Sequence, residues 1–361
     1  MPIKTTILVG AGASLAEALP KHPNKTQTPP LDATFFELCR LAKYPGQKSV
    51  SDYMRTEFGI NPFDGGYGME EVFNYVYSEA FSPTPSSLCI DAYWNLLGLY
   101  RQAISATTNP LKGKSRAGVG HVLRSLLEHN SDRDISFVTF NQDLLIEKAI
   151  EYTKSTAKYR QLPWNIKLTY DIPFKKIVGV KNNPTPFNTT DASSIKVLKL
   201  HGSMNWVYQV RSGQDPKNSI RKPNTELTIV NDSKIWDRLT TTVSGPKRTR
   251  TLDLIPLIVP PIYEKSSYFK DTLSPVWDTT RKTLRETQEL VIFGYSFPDA
   301  DFASKSIIRN CLHHNKSPLK NPVLQKCRDS IPSIRKEDSR TQCPQDLFEN
   351  IGQVGNDKAQ Q

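Results

Sequence analysis

Unbroken apolar runs and helical periodicity take turns along this chain. Runs of five or six residues occur at Lys4-Thr-Thr-Ile-Leu-Val9, Ile135-Ser-Phe-Val-Thr-Phe140, Ile195–Leu200, Leu254–Val259 and Glu289-Leu-Val-Ile-Phe293. Short runs rich in Val, Ile, Leu and Phe predict strands buried on both faces. Between them, apolar positions return every three or four residues. Leu15–Leu19 opens one helix, and Val119, Val122, Leu123 and Leu126 mark another. Further helices are predicted from Leu144 onward, over Thr272–Glu286, and through Ala303, Ile307, Ile308 and Cys311, the last capped by Asp299. Strands that alternate with helices predict the α/β class: a Rossmann-like parallel sheet with helices on both faces.

One long stretch breaks the alternation. Residues 31–108 carry no strand signal. Phe35–Ala42 and Glu70–Glu79 read as helical, and Tyr93, Leu96, Leu97, Tyr100 and Ile104 follow one helix face. The expected organisation is therefore a Rossmann-like domain over residues 1–30 and 109–313, a helical insertion over 31–108, and a polar tail over 314–361 that is expected to be flexible. Pro20–Pro30 reads as a loop and Thr107–Gly118 as a polar connector. The Thr-, Ser-, Lys- and Arg-rich stretch 209–253 reads as an irregular excursion, and no final strand is evident in the tail.

Composition narrows the class. The chain has 361 residues, 37% hydrophobic and 23% charged, which excludes collagen-like, coiled-coil and wholly disordered chains. No apolar run approaches the ~18–20 residues of a membrane span, and the first residues do not read as a secretory signal, so the expected compartment is the cytoplasm. Five cysteines lie far apart with no CxxC pair, which argues against a disulfide framework or a four-Cys zinc site. No metal site is expected. The net charge of +11 is concentrated in the middle of the chain. A basic surface can draw a polyanion or nucleotide phosphates. Without interleaved aromatics or a reader motif, a merely solvated basic face is the simpler reading, and nucleic-acid binding stays open.

Four polar turns follow predicted strands, and in a parallel α/β sheet ligands bind at strand carboxyl ends. Gly10-Ala11-Gly12-Ala13-Ser14 places bare backbone N–H groups at a helix start, where a pyrophosphate can approach, although Leu15 stands where a GxGxxG motif has its third glycine. A tight turn without a ligand fits those residues equally well. Asn141 and Asp143 could meet an amide-bearing ligand or cap the next helix. His201, before Gly202, could be a general base or a structural histidine. Gly294 and Ser296 could hold a ribose or form an ordinary turn.

Taken in order, Gly10-Ala-Gly12-Ala-Ser14, Thr139-Phe-Asn141-Gln-Asp143, Leu200-His201-Gly202-Ser-Met-Asn205-Trp206 and Phe293-Gly294-Tyr-Ser296-Phe-Pro-Asp299-Ala-Asp301 resemble the sirtuin superfamily, most closely the sirtuin-like NADases of bacterial anti-phage defence. The resemblance spans roughly residues 1–313. It implies NAD+ as substrate and cleavage to nicotinamide and ADP-ribose, or a cyclic isomer, as an NAD-depleting step. It implies that Gly10, Ala11, Gly12 and Ser14 hold the pyrophosphate. Asn141 would position water and the nicotinamide ribose, and Asp143 would meet the carboxamide. His201 would act as the base, with Gly294 and Ser296 at the adenosine half. Deacylases of the superfamily carry a four-Cys zinc module, which has no counterpart here. Some members work with a HerA-like hexameric ATPase or an Argonaute protein, so a partner of that kind, another defence protein, or a homo-oligomer is implied. The rival readings are a protein deacylase or ADP-ribosyltransferase using the same cofactor, and a non-catalytic nucleotide-sensing subunit of a defence complex.

Overall fold

A computed structural model describes residues 2–19, 28–116, 118–129, 133–166, 168–172, 174, 176–178, 184–186, 195–211, 227–230, 240–244, 249–262, 273–295, 302–315 and 323–325. Its centre is a five-stranded parallel sheet. The strands are β1 (Ile3–Val9), β2 (Arg133–Thr139), β5 (Lys196–Lys199), β10 (Glu289–Phe293) and β11 (Val323–Gln325), in the order β11-β10-β1-β2-β5. Every neighbouring pair is parallel. Numbered within the sheet, this is 3-2-1-4-5, the doubly wound arrangement. The topological switch falls between β1 and β10.

The expected α/β architecture is the one observed. Strands β1, β2 and β10 have burial patterns that close at their carboxyl ends, as unbroken apolar runs require. Helix α6 (Val119–His129) packs on α7 (Leu145–Ser155), and α8 (Ser274–Glu286) packs on α9 (Phe302–His313). In α9, Ile308, Cys311 and Leu312 are buried, close to the predicted face. Asp299, the expected cap, lies outside the described residues.

The insertion is helical. Helices α2 (Phe35–Ala42), α3 (Gln47–Phe58), α4 (Met69–Ala80) and α5 (Ser87–Thr108) enclose an aromatic core of their own, including Phe35, Phe73, Met54 and Leu96. Helix α5 also packs outside this core. Leu97 forms a small cluster with Met204 and Ile258, joined by Tyr100 and Ile104. Lys148 of α7 donates from Nζ to the carbonyls of Thr108 and Asn109.

Two expectations are corrected. Within 209–253 the described residues are strands rather than an irregular excursion. They contribute to a six-stranded sheet ordered β4-β3-β7-β6-β9-β8, where β3 is Lys176–Val178, β4 Pro184–Pro186, β6 Gly202–Arg211, β7 Leu227–Val230, β8 Thr240–Ser244 and β9 Thr249–Ile258. Thr240-Thr-Thr-Val243 pairs antiparallel with β9, as β-branched residues favour even where the composition is polar. The tail also supplies a strand: β11 adds parallel to β10 through Val323, Leu324 and Gln325.

Candidate active site

The glycine turn and the turn after β10 meet at the switch point through their backbones. Gly10 donates its N–H to the Phe293 carbonyl at 3.0 Å, and Gly12 to the Gly294 carbonyl at 2.9 Å. The approach is close enough to exclude side chains. A Cβ on Gly10 would lie 2.6 Å from Cα of Tyr295, and one on Gly12 would lie 2.9 Å from the Gly294 oxygen. Gly294 itself adopts φ +66°, a conformation open to glycine at little cost. The expectation of bare N–H groups in the glycine turn is thus corrected: Gly10, Gly12 and Ala13 all donate within the protein, Ala13 to the Gly10 carbonyl at 3.0 Å. A turn this tight points the Gly10 and Gly12 amides at the neighbouring strand end.

The turn after β2 joins the glycine turn through side chains. Thr139 donates from Oγ1 to the Val9 carbonyl at 2.9 Å and accepts from the Asn141 N–H at 3.0 Å, which aligns the ends of β1 and β2. Asn141 donates from Nδ2 to the Gly10 carbonyl at 2.8 Å and to Ser14 Oγ at 3.0 Å. Ser14 passes the chain on, donating to Asp143 Oδ2 at 2.5 Å. The other carboxylate oxygen of Asp143 accepts from the Leu145 N–H at 2.9 Å, at the start of α7. Asp143 therefore accepts at the start of α7, as the capping reading expected, and its other oxygen is taken by Ser14 of the glycine turn. Its charge sits where the starts of α1 (Ala11–Ala18) and α7 converge, the favourable end of each helix dipole.

His201 stands on the next strand end, just past β5. It is 8% exposed. Its ring lies 5.2 Å from Phe140, and Phe140 stacks at 4.7 Å and 23° on Tyr295. Three turns are thus linked by a row of rings. The Tyr295 backbone lies so close to Gly10 that a side chain there would displace it. The His201 carbonyl accepts from the Val259 N–H at 2.9 Å, and Gly202 follows at φ +79° against β9. Gly294 closes the opposite side. Ser296 lies outside the described residues, so the structure does not place it.

Several residues of the site were not anticipated. Gln142 donates from Nε2 to the Val259 carbonyl at 2.7 Å and accepts from the Tyr100 hydroxyl at 2.5 Å. It ties the insertion helix α5 to the turn between Asn141 and Asp143. Beneath lies a sealed network. Lys199 is fully buried, pairs with Glu147 at 3.0 Å and donates to the Asp143 carbonyl. Tyr170 donates to Glu147 at 2.7 Å and accepts from Asn205 Nδ2 at 3.1 Å, and Ser203 donates to Asn205 at 2.7 Å. Burial, then the Glu147 charge, pushes the Tyr170 hydroxyl well above its ordinary range. The signal was available: Lys199 interrupts the run Val-Leu-Lys-Leu, and a lysine inside a buried strand needs a partner. Among the described residues, no group of three or more His, Cys, Asp or Glu side chains could hold a metal ion, and no helix is long and apolar enough to cross a membrane.

Strand order and strand-end turns define a doubly wound, Rossmann-like α/β protein with its polar residues gathered at the topological switch. No family model matches the chain, and no curated protein does. The solved structures it matches include sirtuins. A complex of Sir2 with a p53 peptide and NAD+ is 14% identical, with a TM-score of 0.36, over 99% of this chain and 94% of that one. Sir2Tm bound to a propionylated peptide is 13% identical, with a TM-score of 0.30, over 88% and 82%. A point mutant of a Sir2 homologue in complex with ADP-ribose is 12% identical, with a TM-score of 0.32, over 85% and 76%. All three likenesses are distant.

Proposed function

We propose that the chain is an NAD+ glycohydrolase that releases nicotinamide and ADP-ribose. The observation that supports this reading best is the joining of Asn141, Ser14 and Asp143 across the ends of β1 and β2, beside the switch point, with His201 on the adjacent strand end. The nicotinamide of NAD+ leaves as a neutral base from a cationic glycoside, so no acid is needed to expel it. The site has only to hold the ribose, tolerate positive charge at its anomeric carbon, and deliver water. Asn141 carries an amide already shared between a carbonyl and a hydroxyl, which suits it to orient a ribose hydroxyl or water. His201 takes the proton. Such a base contributes ~10²–10⁴-fold, and positioning adds to it. Asp143 supplies a carboxylate near the developing charge. The motif resemblance extends the proposal to a cytoplasmic, NAD-depleting role in anti-phage defence, controlled by a partner or by self-assembly.

The test follows nicotinamide release and ADP-ribose binding by the full chain. We expect release by the wild type and a fall of ~10²–10⁴-fold for His201→Ala, with the melting temperature retained. Asn141→Ala should fall as well. Intact NAD+ together with no binding of ADP-ribose sinks the proposal. Release that depends strictly on an acyl-lysine peptide favours a deacylase instead.

A further inference from the structure

Among the described residues, the turns around the switch point are poor in free positive charge. The Gly10, Gly12 and Ala13 amides are engaged within the protein, and Lys199 is held by Glu147. Asp143 adds a negative charge. A dinucleotide brings a diphosphate with two more, and a buried anion needs a charged partner. Helix α5 offers one. Leu97 and Ile104 pack on the Met204 and Ile258 side, and Tyr100 bonds Gln142 inside the Asn141–Asp143 turn. At 100° per residue, Arg101 lies within about 40° of Leu97 and about 20° of Thr108, on the side of α5 turned toward the Rossmann-like domain. Its Nε is shut off from solvent and has no hydrogen-bond acceptor among the described residues. Burial pulls its pKa down to about 10, with no carboxylate opposing the shift.

We infer that Arg101, contributed by the helical insertion, binds the diphosphate of the dinucleotide, an inference that rests on the NAD+ reading above. A guanidinium fork matches two phosphate oxygens at once, and such charge-assisted pairs are the strong ones. The insertion thereby becomes part of the nucleotide site. A nucleotide would draw α5 against the strand-end turns through one residue beside the Tyr100–Gln142 bond.

Calorimetric titration of the full chain with NAD+, ADP-ribose and adenosine tests this. Arg101→Met should weaken NAD+ and ADP-ribose about ten- to a hundredfold, the loss of one charge-assisted hydrogen-bonded contact, and leave adenosine unchanged. Arg101→Lys should fall between, since it keeps the charge and loses the fork. Without ligand, Arg101→Met should melt no lower than the wild type, because a buried Nε with no acceptor among the described residues has been removed. Should the wild type bind ADP-ribose and Arg101→Met bind it equally, Arg101 has no such role and the NAD+ reading stands. Equal weakening of adenosine and ADP-ribose marks a structural residue and overturns the inference. A wild type that binds neither NAD+ nor ADP-ribose removes the reading and the inference together.

Discussion

Ser14, Asn141 and Asp143 sit at the same end of the parallel sheet as Lys199, Glu147, Tyr170 and Asn205, but the two groups are held differently. The first joins two turns through hydrogen bonds of short side chains, and Asn141 keeps partial access to solvent. The second is sealed, with the side chains of Lys199 and Glu147 at 0% and 2% exposure and a full ion pair between them. One bond connects them: Lys199 donates to the backbone carbonyl of Asp143. The deeper network fixes the backbone of the turn, and the shallower cluster is left with side-chain contacts that a ligand can exchange. The candidate site and its support thus meet at a single residue, with the carboxylate of Asp143 on one side and its carbonyl on the other.

Removing one partner of the deep pair tests this division most severely. Lys199→Met leaves the Glu147 carboxylate buried with only Tyr170 to answer it, and should cost about 3–5 kcal/mol in urea unfolding. Pairing it with Glu147→Leu should recover most of that loss, since two apolar groups of similar volume replace a desolvated pair. If the single variant costs no more than a surface substitution, the two clusters do not differ in kind. The shallow cluster should respond more gently. Asp143→Ala removes a helix-start acceptor and the Ser14 contact, and about 1 kcal/mol is expected. The Ser14 hydroxyl and the Leu145 N–H lose their acceptor, while Ser14 Oγ still accepts from Asn141. A loss as large as that of Lys199→Met would place Asp143 in the support rather than the site.

The smallest effect is a pH slope. The Tyr170 hydroxyl has a folded pKa raised above its unfolded value near 10. Its contribution is fully present below pH ~10. Above that, the unfolded chain loses the proton while the folded chain retains it, so stability falls as pH rises. Urea midpoints between about pH 8 and 11 should therefore drop more steeply for the wild type than for Tyr170→Phe. Equal slopes would mean that the hydroxyl is not sealed.

Much of the architecture was legible in the residues because its signals are local. Glu289–Phe293 reads as a strand and is one to the residue. Phe35–Ala42 reads as a helix and is one with the same limits. The four strand-end turns announce themselves because glycines and polar residues abruptly follow apolar runs. The second sheet was missed for a physical reason. Its strands include polar, β-branched segments such as Thr240–Ser244, whose stability comes from the strand beside them rather than from apolar runs of their own. Gln142 was passed over between two more conspicuous neighbours, although its amide links Tyr100 and Val259.

The amino-acid sequence determined by itself four of the five strands of the parallel sheet and the helices beside them, that residues 31–108 are helical, and which polar turns end those strands, because periodicity and turn composition act over a few residues. Only the tertiary structure decided that β10 lies beside β1, so that Gly294 closes on Gly12, and that Ser14 reaches Asp143 across 129 positions. It likewise left the Arg101 Nε shut off from solvent, with no acceptor among the described residues. Those contacts depend on which buried faces and strand edges pair, and that choice is made by packing the whole chain at once rather than by any local run of residues.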